Sequence, residues 1–480
     1  MKPSHNIRPV FDDPNVVADA GLAPALRLAE EAGFHDAVAE HLSVESPNRA
    51  AKTGCVVAGM LAGADSIDDL DRLRHGGMDK LFSGVRAPST LGKFLRAFTH
   101  GHVQQLDRIG ALLLVGLAAL VPGLLAGAGR PTSPGGGFGE DGWAFLDVDD
   151  TIREVHGYAK QGAGYGYSKV RGLNIQLAAL STLLAAPVVL RARLRKGATN
   201  SARGVARLLA QAITTARAAG VAGTIMCRAD SAYYGWAFIG TAVRHKALFS
   251  VTARMTPSVK TAIASISKDA WTPIEYPNAI WDEAEQRWVS DAEVAEVAFT
   301  AFTGRKKKSQ HVTCRLIVRR VKRLQPLASD GTEQGELFAA YRHHAFVTNS
   351  TLGMVEADQM HRDHAIIEQV IADLKDNALA HLPSGAYAAN AAWVACAVIA
   401  YNLARAAAVA SGDKHLARAR WSTLQARIIH VPARIASTAR RLDLHLPRDW
   451  PWAHGWEQLW ATATQARGGR AAGPPTAVPA

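Results

Sequence analysis

Cysteine is scarce in this chain: four residues, Cys55, Cys227, Cys314 and Cys396, in 480 positions. No two make a CxxC pair, and none stands with histidine at the spacing of a zinc site. A disulfide framework and a zinc module are therefore excluded, and four inert thiols suit a reducing cytosol. The first fifteen residues, "MKPSHNIRPVFDDPN", hold no apolar core of the kind a secretory leader needs, so a cytoplasmic protein is expected. Repeats at solenoid periods are absent. Long uncharged runs are nearly absent too. Residues 110–129, "GALLLVGLAALVPGLLAGAG", are just long enough to span a bilayer. Pro122 and several glycines interrupt the run, so a buried helix followed by a loop is expected, with no membrane partner. Acid is also in deficit. Lys and Arg number 54 against 42 Asp and Glu, a net charge of +12. That balance favours a polyanionic partner, nucleic acid first.

What is present divides the chain. Residues 1–130 read as helix, with "GLAPALRLAEEAGFHDAVAEHL" apolar at mixed spacings of three and four. In "ADSIDDLDRLR" Ser66 is placed to cap a helix whose first turns carry aspartates, where the helix dipole favours them. In "PSTLGKFLRAF" Ser89 or Thr90 is placed as a cap ahead of Lys93 and Arg96. Short helices with such breaks suit a DNA-binding module of the helix-turn-helix kind or a plain helical bundle. Residues 131–142 form a Gly/Pro-rich linker. Beyond it "WAFLDVD", "LNIQLAAL", "APVVLRARL", "VAGTIMCRAD" and "ALFSVTAR" read as strands, with helices near 199–219 and 236–245 between the later ones. This predicts an α/β core with a mixed sheet, its first part at 143–254. Residues 255–340 turn β-rich and basic, with Arg305, Lys306, Lys307 and Lys308, then Arg315, Arg319, Arg320, Lys322 and Arg323. Such a run is either a solvated face or a set of phosphate contacts. The second part of the core is expected at 341–410, a helical C-terminal region at 411–467 and a disordered tail at 468–480.

The acids carry the chemistry. Asp147 and Asp149 end a strand and, two apart, share a face, while Asp150 points away. Asp230 ends another strand. In "HRDHAIIEQVIADLKDN", treated as one helix with His364 at zero, Lys375, Glu368 and His361 fall at about 20°, 40° and 60°, opposite an apolar stripe. Strand-end acids and a helix acid that converge at a sheet edge need cations. Divalent magnesium, or manganese, supplies them through hard oxygen ligands, and two such ions suit phosphodiester displacement. The glycine-rich "KQGAGYGYSKVRG" lacks the GxxxxGK[ST] of a phosphate-binding loop and reads as a hairpin turn, from which Lys169 and Arg171 reach toward phosphates.

On "LDVDDT", "KQGAGYGYS", "RADSAYYG" and "EQVIADLK" the chain resembles the DDE transposases of bacterial insertion sequences, and more narrowly insertion-sequence family thirteen-eighty. The resemblance covers about residues 5–455. It implies an RNase H-like core with a β-rich insertion at 255–340. It also implies Asp149, Asp230 and Glu368 as the metal-holding catalytic acids; Asp147, on the face of Asp149, stands in reserve as a ligand or a supporting group. Glu368 and Lys375 match a Tyr-x2-Arg-x3-Glu-x6-Lys signature, but His361 and His364 stand where it has Tyr and Arg. The expectation is a nucleoid-associated cut-and-paste enzyme, a homodimer on double-stranded DNA, that binds terminal inverted repeats, cuts with Mg2+ or Mn2+ and joins the ends to a target. Its DNA contacts would be Lys375, His364, His361, Lys169, Arg171, residues 305–308, Lys93 and Arg96. A metal-dependent nuclease without strand transfer, or a catalytically dead DNA-binding remnant, are the competing expectations.

Overall fold

The computed structural model describes residues 6–129, 142–157, 159–275, 280–282, 287–289, 292–322, 341–438 and 441–465. Nearly all of the expected linker, the expected tail and Arg323 lie outside them. The N-terminal region is helical: α1 (Leu22–Glu31), α2 (Phe34–His41), α3 (Arg49–Leu61), α4 (Pro88–Arg96) and α5 (His100–Leu120). α4 starts at Pro88 itself with Ala87 as its cap, not at Ser89 or Thr90. Proline has no N–H to satisfy in the first turn and its φ already fits a helix, so a side-chain cap is dispensable. Ser66 and Asp69 do exchange hydrogen bonds, Ser66 N to Asp69 Oδ2 at 3.0 Å and Asp69 N to Ser66 Oγ at 3.3 Å. The turn they open, Asp68–Arg74, is 3-10 rather than α.

A mixed ten-stranded sheet follows. Its main strands are β1 (Trp143–Glu154), β2 (Arg171–Ser181), β3 (Val188–Lys196), β4 (Thr224–Ala229), β5 (Leu248–Thr252), β6 (Ala292–Ala301), β7 (Val312–Lys322) and β8 (Tyr341–Thr348). In space they run β3-β2-β1-β4-β5-β8-β7-β6. β1, β4 and β5 are parallel, and all other neighbours in this series are antiparallel. Helices α6 (Val205–Ala218) and α7 (Trp236–Arg244) make the two crossovers between β3, β4 and β5. α6 is shorter than expected because Gly204, at φ 80°, starts it. β6, β7 and β8 pair onward from β5, so the β-rich stretch extends the core sheet instead of standing apart from it.

Three helices close the core: α8 (Met354–Arg362), α9 (Ile366–Lys375) and α10 (Tyr387–Ala410). α10 is apolar on all sides and almost wholly buried. Asn402 on it accepts from Val189 N at 2.8 Å and donates to Val189 O at 2.7 Å, which satisfies the backbone of β3 at the sheet edge. Around α10 pack α1, α3, α4 and α5 from the N-terminal region. The last elements, the hairpin β9 (Ala433–Thr438) with β10 (Arg441–His445) and the helix α11 (Ala453–Gln465), return to α1 and to the short strand Val16–Val17. One hydrophobic core therefore includes residues from Val17 to Ala463. Among the described residues α5 and α10 are long and apolar enough to cross a membrane. α10 is the buried centre of the molecule, and α5 lies along it.

Candidate active site

The register of the three parallel strands builds the site. Asp147 on β1 stands opposite Arg228 on β4, and Arg228 stands opposite Ser250 on β5. One row further toward the C-terminal ends, on the same face, come Asp149, Asp230 and Thr252. The short patterns "DVD", "RAD" and "SVT" thus make two rows of three.

The first row is closed by ion pairing. Arg228 donates to both carboxylate oxygens of Asp147, at 2.7 and 2.8 Å, and to Met360 O at 2.7 Å. Its guanidinium lies 4.5 Å from the Phe145 ring centre. His364 Nδ1 meets Asp147 Oδ1 at 2.8 Å. Burial alone would raise the Asp147 carboxyl, but Arg228 and His364 outweigh it and hold it below the usual range. Asp147, expected in reserve as a ligand or a supporting group, is fully buried with both oxygens engaged by Arg228 and His364. His361, expected against DNA, lies between Ser250 Oγ (2.8 Å) and Thr252 Oγ1 (3.0 Å) and stacks on Phe346 at 4.1 Å. Both of its ring nitrogens are engaged, and burial, then His364 and Arg228, keep it well below the usual imidazole value. Its ring thus joins α8 to β5 and β8.

The second row is open. Asp149 is half-buried and accepts from Asp150 N at 2.7 Å. Asp230 is exposed and accepts from Ala232 N at 3.0 Å. Desolvation, with the charge of Asp230 next among the raising effects, pushes Asp149 up to about 6. Asp230 is raised by desolvation and by Asp150. His364 lowers both, so it faces the pair. Two adjacent carboxylates, each resisting ionisation, make a hard-oxygen donor set that fits a divalent cation of the magnesium type. Asp150 points to the other side. It receives Arg195 at 2.7 Å and Tyr233 Oη at 3.1 Å, and Asn174 as well.

Glu368 is not part of this pair. The expected single helix is broken: α8 ends at Arg362, residues Asp363–Ala365 form a 3-10 turn, and α9 begins at Ile366. The break turns His361 and His364 onto the strands and leaves Glu368 exposed on the first turn of α9. No three acids, histidines or cysteines among the described residues stand close enough to hold a metal. Lys375 ends α9 in a groove of about 530 Å³ beside Asp150, Arg153 and Tyr167, its ammonium lowered by burial and by Arg153.

The expected basic contacts divide in two. Arg315, Arg319 and Arg320 are engaged with Glu296, Asp358 and Glu293. Arg305, Lys306, Lys307 and Lys308 are exposed on the turn between β6 and β7. Phe302 at the start of that turn packs on Tyr234 at 5.4 Å, which brings the turn beside the loop that follows Asp230. Lys93 and Arg96 are exposed on α4, and Arg96 shares a cleft of about 620 Å³ with Glu154, His156 and Lys160. Lys169 is exposed at φ 57°, and Arg171 donates to Gly157 O at 2.5 Å. Sequence reasoning missed Arg228, Arg254 and Arg195. Arg254 donates to Ser231 O (2.8 Å) and Ala232 O (2.9 Å) and so fixes the loop after Asp230. The signal for Arg228 was available, two residues before Asp230 as Asp147 is before Asp149.

Paired carboxylates at the ends of adjacent parallel strands are a donor set of the kind that metal-assisted phosphoryl transfer requires. Residues 139–467 match the family described as transposase DDE domain group 1. The match spans well over half of the chain, so the protein belongs to this family of DDE transposases, for which DNA is the partner. A comparison with curated proteins finds no match.

Proposed function

We propose that the protein is the cut-and-paste transposase of an insertion sequence, of the kind grouped as family thirteen-eighty. It would bind the element's terminal inverted repeats, cut them and join their 3′ ends to target DNA, acting as a homodimer. The observation that carries this reading is the Asp149–Asp230 pair at the C-terminal ends of β1 and β4. The strand order β3-β2-β1-β4-β5, with the first two pairings antiparallel and the next two parallel, supports an RNase H-like core. β6, β7 and β8 stand where the insertion is expected.

Asp149 and Asp230 would hold a divalent cation, Mg2+ or Mn2+, with Glu368 as the third acid. Such ions, when bound, activate an attacking hydroxyl and stabilise the leaving oxygen of a phosphodiester. The chain's own residues do the rest. Asp147 and Arg228 lock the strand ends in register. Asp147 orients His364 toward the open row, where its ring meets the phosphate that the acids flank. Lys375 and residues 305–308 hold the backbone on either side, and α4 with Lys93 and Arg96 takes the repeat sequence.

The test uses DNA carrying the inverted repeats that flank the coding sequence. Purified protein with Mg2+ is expected to give cut ends and joined products, both lost in Asp149→Asn, Asp230→Asn and Glu368→Gln. Cutting without joined products would make the protein a nuclease. Binding of the ends with no cutting would make it a remnant, a reading favoured by the absence, among the described residues, of a third acid grouped with the aspartate pair.

A further inference from the structure

The glycine-rich segment between β1 and β2 does more than turn the chain. Its base is clamped. Gly164–Tyr165 pairs with Arg171 and Gly172, Gly197 N donates to Gly162 O at 3.0 Å, and Gln161 N donates to Gly385 O at 3.0 Å. Gly166 and Gly172 are there for close approach, with a Cβ meeting Gly197 O at 2.7 Å and Arg153 O at 2.4 Å. Of those in 160–172 only Gly162 has a positive φ, 80°. A Cβ on Gly197 would lie 2.1 Å from Gly172 O and 2.3 Å from Gly164 O. The outward side chains, by contrast, are bare. Tyr165 is 67% exposed and Tyr167 106%, with Val170 and Lys169 exposed beside them. Two uncovered aromatics on a rigid, cationic tongue are unlike singly scattered surface residues.

Beneath the tip lies the groove that Tyr167 and Ser168 share with Asp150, Arg153 and Lys375. It begins at Asp150, the residue that follows Asp149 on β1. Asp149 and Glu154 are five positions apart on β1, about 17 Å along the strand. The cations Arg153, Lys169 and Lys375 complement a polyanion. A duplex covers the faces of its bases by stacking, so only unpaired bases offer a face to a tyrosine.

We propose that this tongue is a clamp for single-stranded DNA next to the cut. Tyr167 and Tyr165 stack on unpaired bases, and Lys169 and Lys375 hold the phosphates between them. The proposal rests on the transposase reading for its substrate, but not on catalysis.

The test measures fluorescence anisotropy of the full chain without divalent cation, with three probes: a twelve-residue oligothymidylate, an abasic phosphodiester of equal length and a twelve-base-pair duplex. The variant Tyr165→Ala/Tyr167→Ala is expected to bind oligothymidylate at least fivefold more weakly, with the other two probes unchanged. Tyr165→Phe/Tyr167→Phe is expected to restore wild-type binding. Equal losses on the abasic probe, or no loss on oligothymidylate, would overturn the clamp while leaving the transposase reading in place. A change in oligomeric state with DNA affinity unaltered would make the tongue a contact between copies, and would also overturn it. If wild-type protein bound none of the three probes, the transposase reading would fall together with the clamp.

Discussion

At the scale of residues, two aspartates two positions apart meet opposite fates because their cross-strand neighbours differ. Asp147 faces Arg228 and is a buried, ionised support. Asp149 faces Asp230 and resists ionisation. The folded value of Asp149, about 6, lies above its ordinary value of 3.8. Ionising it therefore costs the folded state nothing below pH 3.8, progressively more through pH 6, and the full amount above that, up to about 3 kcal/mol. Asp149→Asn is expected to raise the thermal midpoint at pH 8 and leave it unchanged at pH 4, as followed by circular dichroism without metal. Adding Mg2+ at pH 8 should stabilise the wild type and not the variant. Asp147→Asn acts in the opposite direction, since it leaves Arg228 buried without a counter-charge. A loss of about 3–5 kcal/mol in denaturant titration is expected. A loss below 1 kcal/mol would show that the pair is not formed.

At the scale of elements, short sequences set local structure but not what it meets. The alternation in "WAFLDVD" is legible as a strand with Asp147 and Asp149 on one face, and they lie so. The run 361–377 is legible as helical, yet the 3-10 turn at Asp363–Ala365 divides it, because His364 and His361 are drawn to Asp147 and to the hydroxyls of β5. A helical wheel has no means of anticipating that contact. The tongue makes a second case. Its glycines read as turn formers, while Gly166 and Gly172 serve backbone-to-backbone approach. Gly197→Ala is expected to cost roughly 1–3 kcal/mol as an overpacking change and to open residues 157–171 to limited proteolysis, which mass spectrometry of the fragments would detect. The turn at 305–308 is also testable as a unit. Replacing all four cations by alanine should lessen the salt dependence of duplex binding by about one unit of slope for each that touches phosphate. An unchanged slope would make the turn a solvated surface.

At the scale of the whole molecule, the N-terminal helices and the last described elements pack on one helix. α1, α3, α4 and α5 from the N-terminal region and α11 from the C-terminal region enclose α10, which also supports the sheet edge through Asn402. Removing residues 1–129 would expose an apolar helix 24 residues long. The truncated protein is expected to aggregate where the full chain stays dispersed, as size-exclusion chromatography would show. A dispersed, folded fragment would mean that the core of α10 is covered by the sheet and the C-terminal helices alone.

The sequence by itself determined the basic charge, the helical and β-rich regions, the strand-end acids and their faces, because these depend on neighbours a few residues apart. Only the tertiary structure decided that Asp147 belongs to Arg228, that Asp149 lies beside Asp230, that Arg315, Arg319 and Arg320 are engaged by acids, and that the tyrosines of the tongue are bare. Each of these rests on strand register or on packing between segments distant in the chain, which no local spacing specifies.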